Sequence, residues 1–305
     1  MKKIDIIVPC YNEEKVLRKF FEVISDNLKG LTWEVIFVDD GSKDETLKII
    51  KELGKSKENI KYLSFSRNFG KEAAIYAGLE NSRGDYVILM DADLQDPPEL
   101  IKEMLKEVKN GYDIVATRRV TRKGEPILRS IGAKTFYKVI NSISKVEIVD
   151  GARDFRLMRR EVVDAIVELE EYNRFSKGLF SWVGFETKWI EFENVERIDG
   201  ESSWSFWQLI KYSIEGIISF TSVPLHIATF FGIILSIAAF IAIIYVIIRT
   251  LLFGDPVSGW PSLVTIILFI GGIQLFCIGI LGQYLAKVFI ESKKRPIYIL
   301  KEKSL

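Results

Sequence analysis

Cysteine is nearly missing from this chain. The two present, Cys10 and Cys277, lie in stretches of different character and share no motif spacing. That excludes a disulfide framework or a thiolate metal cluster, and both read as small buried residues. An excess of charge of one sign is missing as well. In 305 residues, 42 Lys and Arg stand against 41 Asp and Glu, so no general basic surface argues for nucleic acid as a partner. No GxGxxG follows the first strand signal and no GxxxxGK(S/T) occurs, which excludes the usual dinucleotide and phosphate-loop cradles. Met1-Lys2-Lys3 runs straight into a short strand signal without the apolar core of a secretory signal. The polar part of the chain is therefore expected in the cytoplasm.

Apolar residues are abundant but unevenly spread. Up to about residue 203 the pattern is that of a soluble α/β domain, whereas nearly everything from Pro224 to Ala286 is apolar. Ile4 to Val8 reads as a first strand ending at Pro9-Cys10-Tyr11-Asn12-Glu13-Glu14, after which Val16, Leu17, Phe20, Phe21 and Ile24 recur at helical spacing. Trp33 to Val38 is a second strand and ends in Asp39-Asp40-Gly41-Ser42, followed by a helix start at Lys43-Asp44-Glu45-Thr46. Ile60 to Ser64 is a third, leading through Arg67-Asn68-Phe69-Gly70-Lys71 into an Ala-rich helix over residues 72 to 81.

Val87-Ile88-Leu89-Met90 reads as a buried fourth strand that stops at Asp91-Ala92-Asp93-Leu94-Gln95-Asp96, three carboxylates within six residues. Burying them uncompensated would be costly, so they belong at the open end of a sheet, where a divalent cation can neutralise them. Carboxylate and amide oxygens are hard donors and suit Mg²⁺ or Mn²⁺ rather than zinc. A lone D-x-D is often only a solvated turn after a strand; the loops around it change that. The alternation of strand and helix over roughly the first 115 residues predicts a doubly wound, mainly parallel sheet with its site at the carboxyl ends of the strands. Tyr112 to Arg119 is a further strand, the segment Val149 to Met158 carries Asp150 and Asp154, and residues 172 to 200 read as a helix followed by a hairpin of Phe180 to Val183 with Thr187 to Phe192.

The motifs IIVPCYNEE, VDDGSKDET, NFGKEAAIYAG and DADLQDPPE, in that order and spacing, resemble the family-two glycosyltransferases with a GT-A fold. The likeness is greatest to the polyprenyl-phosphate glycosyltransferases, the group of dolichyl-phosphate mannose synthases and bactoprenol glucosyltransferases. It implies that Pro9, Tyr11, Glu13 and Asp40 line the donor nucleotide, with Asp91 and Ala92 near its ribose and diphosphate and Asp93, Gln95 and Asp91 at the metal. For Asp39 and Asp96, loop hydrogen bonding is as good a reading as ligand contact. The resemblance also implies that Arg118 and Arg129 meet the acceptor phosphate, for which a guanidinium fork is well shaped. A solvated basic surface is the alternative. Asp150 and Asp154 are both candidates for the carboxylate beside the nucleophile, with Asp154 preferred, and Arg197 would reach the donor diphosphate. Ser203 stands where family members often carry a Lys, which puts a second phosphate contact in doubt.

The remaining chain predicts membrane attachment. Trp204, Phe206, Trp207, Leu209, Ile210, Ile214, Ile217 and Ile218 form an amphipathic stretch over 204–222, read as an interfacial helix. Pro224 to Ile248 is twenty-five residues without a charge and Pro261 to Ala286 is twenty-six, each long enough to span a bilayer. His226, Gln274 and Gln283 lie in or near them and are read as packing between helices. Lys287, Lys293, Lys294, Arg295, Lys301 and Lys303 follow, so the positive-inside bias places the tail and the catalytic domain in the cytoplasm.

The expected organisation is a glycosyltransferase domain over 1–203, the interfacial helix, a two-helix anchor within 223–290 and a cytoplasmic tail over 291–305. The expected activity is inverting transfer of a sugar, glucose from UDP-glucose in the first instance, to a polyprenyl phosphate in the bilayer, with Mg²⁺ or Mn²⁺ as cofactor. A GDP-mannose-dependent relative, a processive polysaccharide synthase and a silent scaffold of the same fold stay open. The synthase lacks its Q-x-x-R-W motif and further spans, and two helices that bury little surface alone leave room for self-association.

Overall fold

The computed structural model describes residues 2–120, 138, 140–144, 148–193, 217–218, 221–253 and 259–304. The chain forms two compact units, one of residues Met1–Gly216 with Arg295–Leu305 and one of Ile217–Lys294.

The first unit is built on an eight-stranded sheet. In chain order its elements are β1 (Ile4–Cys10), α1 (Leu17–Asn27), β2 (Trp33–Asp39), α2 (Thr46–Ser56), β3 (Ile60–Phe65), α3 (Lys71–Asn81), β4 (Tyr86–Leu89), α4 (Ile101–Lys109), β5 (Ile114–Arg119), β6 (Ala152–Arg159), α5 (Arg160–Val167), α6 (Ser176–Trp182), β7 (Thr187–Phe192) and, after the second unit, β8 (Leu300–Lys303). The strands lie in the order β7-β5-β6-β4-β1-β2-β3-β8.

The sheet forms because its strands are apolar runs covered on both faces, as expected for a wound α/β sheet. Odd and even residues of β1 go to opposite layers: Ile6 and Val8 join Phe20, Phe37 and Phe155 on one side, whereas Ile7 joins Ile36, Leu89 and the Ala-rich helix α3 on the other. Helix α3 is buried from Ala73 to Leu79, so small side chains let it lie close to the sheet.

β1 through β4 are parallel, as the sequence predicts. The sheet as a whole is mixed. β6 runs antiparallel to both β4 and β5, with Leu89 opposite Arg156, and β7 then pairs parallel to β5. The consequence is geometric. Because β6 is reversed, its beginning, around Asp154, lies at the same edge as the ends of β1, β2, β3, β4 and β5. The expected hairpin after residue 172 is not formed. Residues Phe180 to Val183 lie in or just after α6, and only Thr187–Phe192 is a strand. Of the run that reads as a strand, Phe180 joins Leu179 on the buried face of a short helix while Trp182 is exposed, so tertiary packing overrides local β propensity.

The C-terminal residues are part of the sheet and not a free tail. β8 adds antiparallel to β3 at the sheet edge. Ser66 N–H donates to the Ile299 carbonyl at 2.9 Å, Lys51 Nζ donates to Glu302 at 2.7 Å, and the Tyr298 ring stacks on Phe65 with centroids 5.0 Å apart. Tyr298 Oη donates to Glu80 and accepts from Asn81 Nδ2 at 3.1 Å.

The second unit holds two helices, α7 (Val223–Phe253) and α8 (Trp260–Ser292). Val223–Ala242 and Ile266–Ser292 are long and apolar enough to cross a membrane, with mean hydropathies of 2.3 and 2.1. Only 6% and 0% of these stretches is buried, unlike the core helix of a soluble protein. The Tyr284 hydroxyl donates to the Thr221 carbonyl at 2.6 Å, tying the start of the hairpin to its second helix. Of the stretch expected as an interfacial helix, 204–216 and 219–220 lie outside the described residues.

Tyr298→Ala should loosen β8, because it removes a stacked ring and two hydrogen bonds. A loss of about 2–4 kcal/mol is expected, read as a fall of roughly 5 °C or more in the melting temperature of the detergent-solubilised protein. An unchanged melting temperature would mean that the strand adds nothing to the folded unit.

Candidate active site

The site is assembled where the strand ends converge. β1 delivers Tyr11, Asn12 and Glu13, and Tyr11 is exposed. Pro9 sits inside β1 at no cost to the sheet, because the ladder to β4 ends where Met90 N–H meets the Ile7 carbonyl. The β1 and β2 loops are laced together. Asn12 N–H donates to Ser42 Oγ at 3.0 Å, Lys43 N–H to Asn12 Oδ1 at 2.9 Å, and Glu13 N–H to Thr46 Oγ1 at 2.7 Å.

The two acids at the end of β2 are both buried and both brace loops. Asp39 accepts from Ser42 N–H at 3.0 Å and from Ser64 Oγ at 2.8 Å. Asp40 accepts from the amides of Phe69 and Gly70 at 2.6 and 2.9 Å, which pins the loop before α3. Burial raises the Asp40 carboxyl, against the pull of these two amides. Gly41 makes the approach possible: its φ is +68°, and a Cβ there would lie 2.6 Å from the Arg67 carbonyl carbon.

After β4 the chain turns, and exposure alternates along the loop. Asp91, Asp93 and Gln95 are partly exposed, whereas Ala92, Leu94 and Asp96 between them are buried. The alternation places three oxygen-bearing side chains on the open side. Leu94, at φ 56°, turns the chain, and Asp93 Oδ1 accepts from Gln95 N–H at 3.1 Å. Among the described residues no three His, Cys, Asp or Glu side chains form a ready metal cluster.

Asp96 points inward to a residue the motif comparison leaves unassigned. Arg153 Nε donates to Asp96 Oδ1 at 2.9 Å while Arg153 Nη2 reaches Gln95 Oε1 at 3.3 Å. Asp96 Oδ2 is buried without a hydrogen-bond partner. Burial pushes the Asp96 carboxyl up to about 6, with Arg153 pulling the other way. One residue further on, Asp154 Oδ2 lies 2.5 Å from Lys71 Nζ, which also reaches Asp91 Oδ1 at 2.7 Å. Burial alone would raise Asp154, but Lys71 and then Lys177 outweigh it and hold the carboxyl well below its ordinary range.

Beneath these contacts lies a second set. Arg156 is buried, donates to the carbonyls of Asp154 and Arg153 at 3.2 and 2.8 Å, and lies over the Phe180 ring at 3.7 Å. Burial lowers its guanidinium to about 10. Glu72, next to Lys71, accepts from the N–H of Ser176 at 3.0 Å and from its hydroxyl, joining α3 to α6.

Of the two candidates left open by spacing, Asp154 is the one inside the cluster. Asp150 is exposed, in the turn before β6. That turn hugs β5: Arg119 N–H donates to the Gly151 carbonyl at 2.9 Å, and a Cβ on Gly151 would lie 2.4 Å from the Arg119 carbonyl oxygen. Arg118 pairs through Nε with Glu191 of β7 at 3.0 Å. Arg129 and Arg197 lie outside the described residues, as does Ser203.

The sequence pattern described as Glycosyl transferase family 2 matches residues 5–167, which run from β1 to the end of α5. The chain belongs to this glycosyltransferase family. A putative glycosyltransferase, CsbB, of Bacillus subtilis (strain 168) is 44% identical over 99% of this chain and 92% of its own length. The bactoprenol glucosyl transferase of Shigella phage SfV is also 44% identical, over 98% of both chains. Among solved structures, mannosyl-3-phosphoglycerate synthase from Rubrobacter xylanophilus aligns with a TM-score of 0.48 at 19% identity, over 72% of this chain and 73% of that one. As a glycosyltransferase of this family, the protein presents its carboxylates at the edge where the motif resemblance implies a nucleotide-sugar site.

The motif comparison leaves Lys71 and Arg153 unassigned, although each touches the acidic loop. One signal was available for Lys71. A cation in the first turn of a helix opposes the helix dipole, so its placement there implies a carboxylate partner.

The difference between Asp154 and Asp150 is testable. Asp154→Asn should lower the rate of sugar transfer at least about a hundredfold, since it removes the anionic partner of Lys71 at the site, whereas Asp150→Asn should cost less than about fivefold. Initial rates for both variants decide it, and equal losses would contradict the separation.

Proposed function

We propose that this glycosyltransferase moves glucose from UDP-glucose to a polyprenyl monophosphate. The observation that carries the reading is the near full-length similarity to proteins named bactoprenol glucosyl transferase. The acidic edge described above and two bilayer-length helices support it. An acceptor with so long an apolar tail stays in the bilayer, which accounts for an anchor on the enzyme.

The donor set fits a divalent metal ion. Mg²⁺-type cations are commonly held by one or two carboxylates together with substrate phosphates and not by an all-protein cage. Two partly exposed aspartates, with no cluster of three metal-ligating side chains among the described residues, match that demand. Asp91 and Asp93 would hold the cation, with Gln95 beside them, and Tyr11, Glu13 and Asp40 would frame the nucleotide. When bound, the cation supplies Lewis-acid stabilisation of the charge on the departing nucleotide.

The nucleophile is the lipid phosphate. Its second ionisation lies near ~6, so it is largely charged at neutral pH and needs no strong base. Asp154, held ionised by Lys71, is a poor proton acceptor and an anion that repels a phosphate. It serves better as an acceptor of hydrogen bonds from sugar hydroxyls, which orients the anomeric carbon. Arg118, now turned to Glu191, would exchange that carboxylate for the acceptor phosphate.

The catalytic unit and both chain ends are proposed to lie in the cytoplasm. The basic residues Lys287, Lys293, Lys294 and Arg295 after the second span support this. So does β8, since the residues on either side of the helical hairpin belong to one folded unit and call for an even number of crossings.

Membranes containing the enzyme should transfer label from UDP-glucose into an organic-extractable, mild-acid-labile lipid, and Asp93→Asn should reduce that by at least about a hundredfold while leaving the melting temperature unchanged. Label appearing only in insoluble polymer, or only from GDP-mannose, would replace the proposal. A cysteine introduced at position 258 should be labelled from outside intact cells by an impermeant thiol reagent, and one at position 293 should not; labelling of both would refute a cytoplasmic tail.

A further inference from the structure

The mechanism above gives Lys71 only an indirect part, yet it is the side chain that touches both halves of the site. It opens α3 directly after Gly70, whose φ is 99°. Helix amides there point positive charge at it, so the ammonium is held by its partners and not by the helix. Those partners come from two different strands. Nζ lies 2.7 Å from Oδ1 and 2.9 Å from Oδ2 of Asp91, after β4, and 2.5 Å from Oδ2 of Asp154, on β6. Both oxygens of Asp91 are therefore covered by one cation. The lysine side chain is still 45% exposed, against 24% for Asp91 and 15% for Asp154, so it lies nearer solvent than either carboxylate.

This arrangement conflicts with metal binding by the protein alone. A divalent cation at Asp91 would meet the ammonium at contact range, where like charges repel strongly even at the effective dielectric of a protein surface. Asp91 and Asp93 are both partly exposed, and Lys71 covers the first of them. A nucleoside diphosphate removes both obstacles. Its oxygens complete the coordination shell, and they offer the flexible ammonium another anionic partner.

We propose that Lys71 is the resident counter-ion of the metal site. It neutralises Asp91 and Asp154 in the empty enzyme, keeps them in register, and makes divalent-cation binding depend on the nucleotide. The inference rests on the reading that Asp91 and Asp93 hold the cation.

The test measures Mn²⁺ binding directly, from the electron paramagnetic resonance signal of the free ion, on full-length protein in detergent with and without UDP. In the wild type, UDP should tighten Mn²⁺ binding at least about tenfold. Lys71→Gln and Lys71→Met should bind Mn²⁺ without nucleotide at least about tenfold more tightly than the wild type, and UDP should add less. Lys71→Arg keeps the charge and should behave as the wild type. Lys71→Met preserves the aliphatic stem, and melting temperatures establish that the variants are folded. Nucleotide-free Mn²⁺ affinity unchanged or weakened in both neutral variants would overturn the role of Lys71. Asp93→Asn separates the two levels. If it abolishes Mn²⁺ binding while the lysine variants leave affinity unchanged, only the counter-ion inference fails. If it leaves Mn²⁺ binding intact, the metal-site reading fails and takes the inference with it.

Discussion

Carboxylates gathered at one edge of a buried sheet have to be neutralised, and the rest of the site is built around that need. Uncompensated, the acids after β2 and β4 would oppose folding of the very strands that carry them. Each is answered differently. Asp39 and Asp40 are satisfied by loop backbone amides and a serine hydroxyl from β3. Asp96 is answered by Arg153, and Asp91 and Asp154 share Lys71. A site proposed to bind a cation and a dianion in turn can keep such charges only if their counter-ions are near and exchangeable.

The reversed strand β6 makes the exchange possible. Had it continued the parallel order, its start would lie at the opposite edge from Asp91. Running antiparallel between β4 and β5, it brings Arg153 and Asp154 against the acidic loop as consecutive residues. The two side chains alternate across the strand, so one grips Asp96 of the acidic loop and the other meets Lys71. The acidic loop after β4 and the start of β6 are thereby fixed to one another through a strand only eight residues long.

The same economy appears at the far edge of the sheet. β3 would expose a row of unpaired backbone groups, and β8 covers it after the chain has passed through both long helices. Closure by the C-terminal strand leaves the helical hairpin as an excursion from one folded unit. Such an excursion suits an enzyme whose nucleotide donor is soluble and whose acceptor is a lipid.

The sequence by itself determined the elements whose cause is local. Apolar runs ended by acidic, glycine-bearing loops specified β1 to β4, helical spacing specified α1, and uncharged stretches of bilayer length specified the two long helices. It also singled out the acidic loop, and the family resemblance offered two aspartates as candidates for the carboxylate beside the nucleophile. Tertiary structure decided what depends on contacts between distant residues. It set the direction of β6, placed Phe180 to Trp182 in a helix, and returned β8 to the sheet from more than two hundred positions away, with Lys51 meeting Glu302. It likewise separated Asp154 from Asp150 and gave Lys71 and Arg153 their partners. The physical reason is that periodicity and turn chemistry act over a few residues, whereas a charge finds its counter-ion through space, and no spacing along the chain records which one.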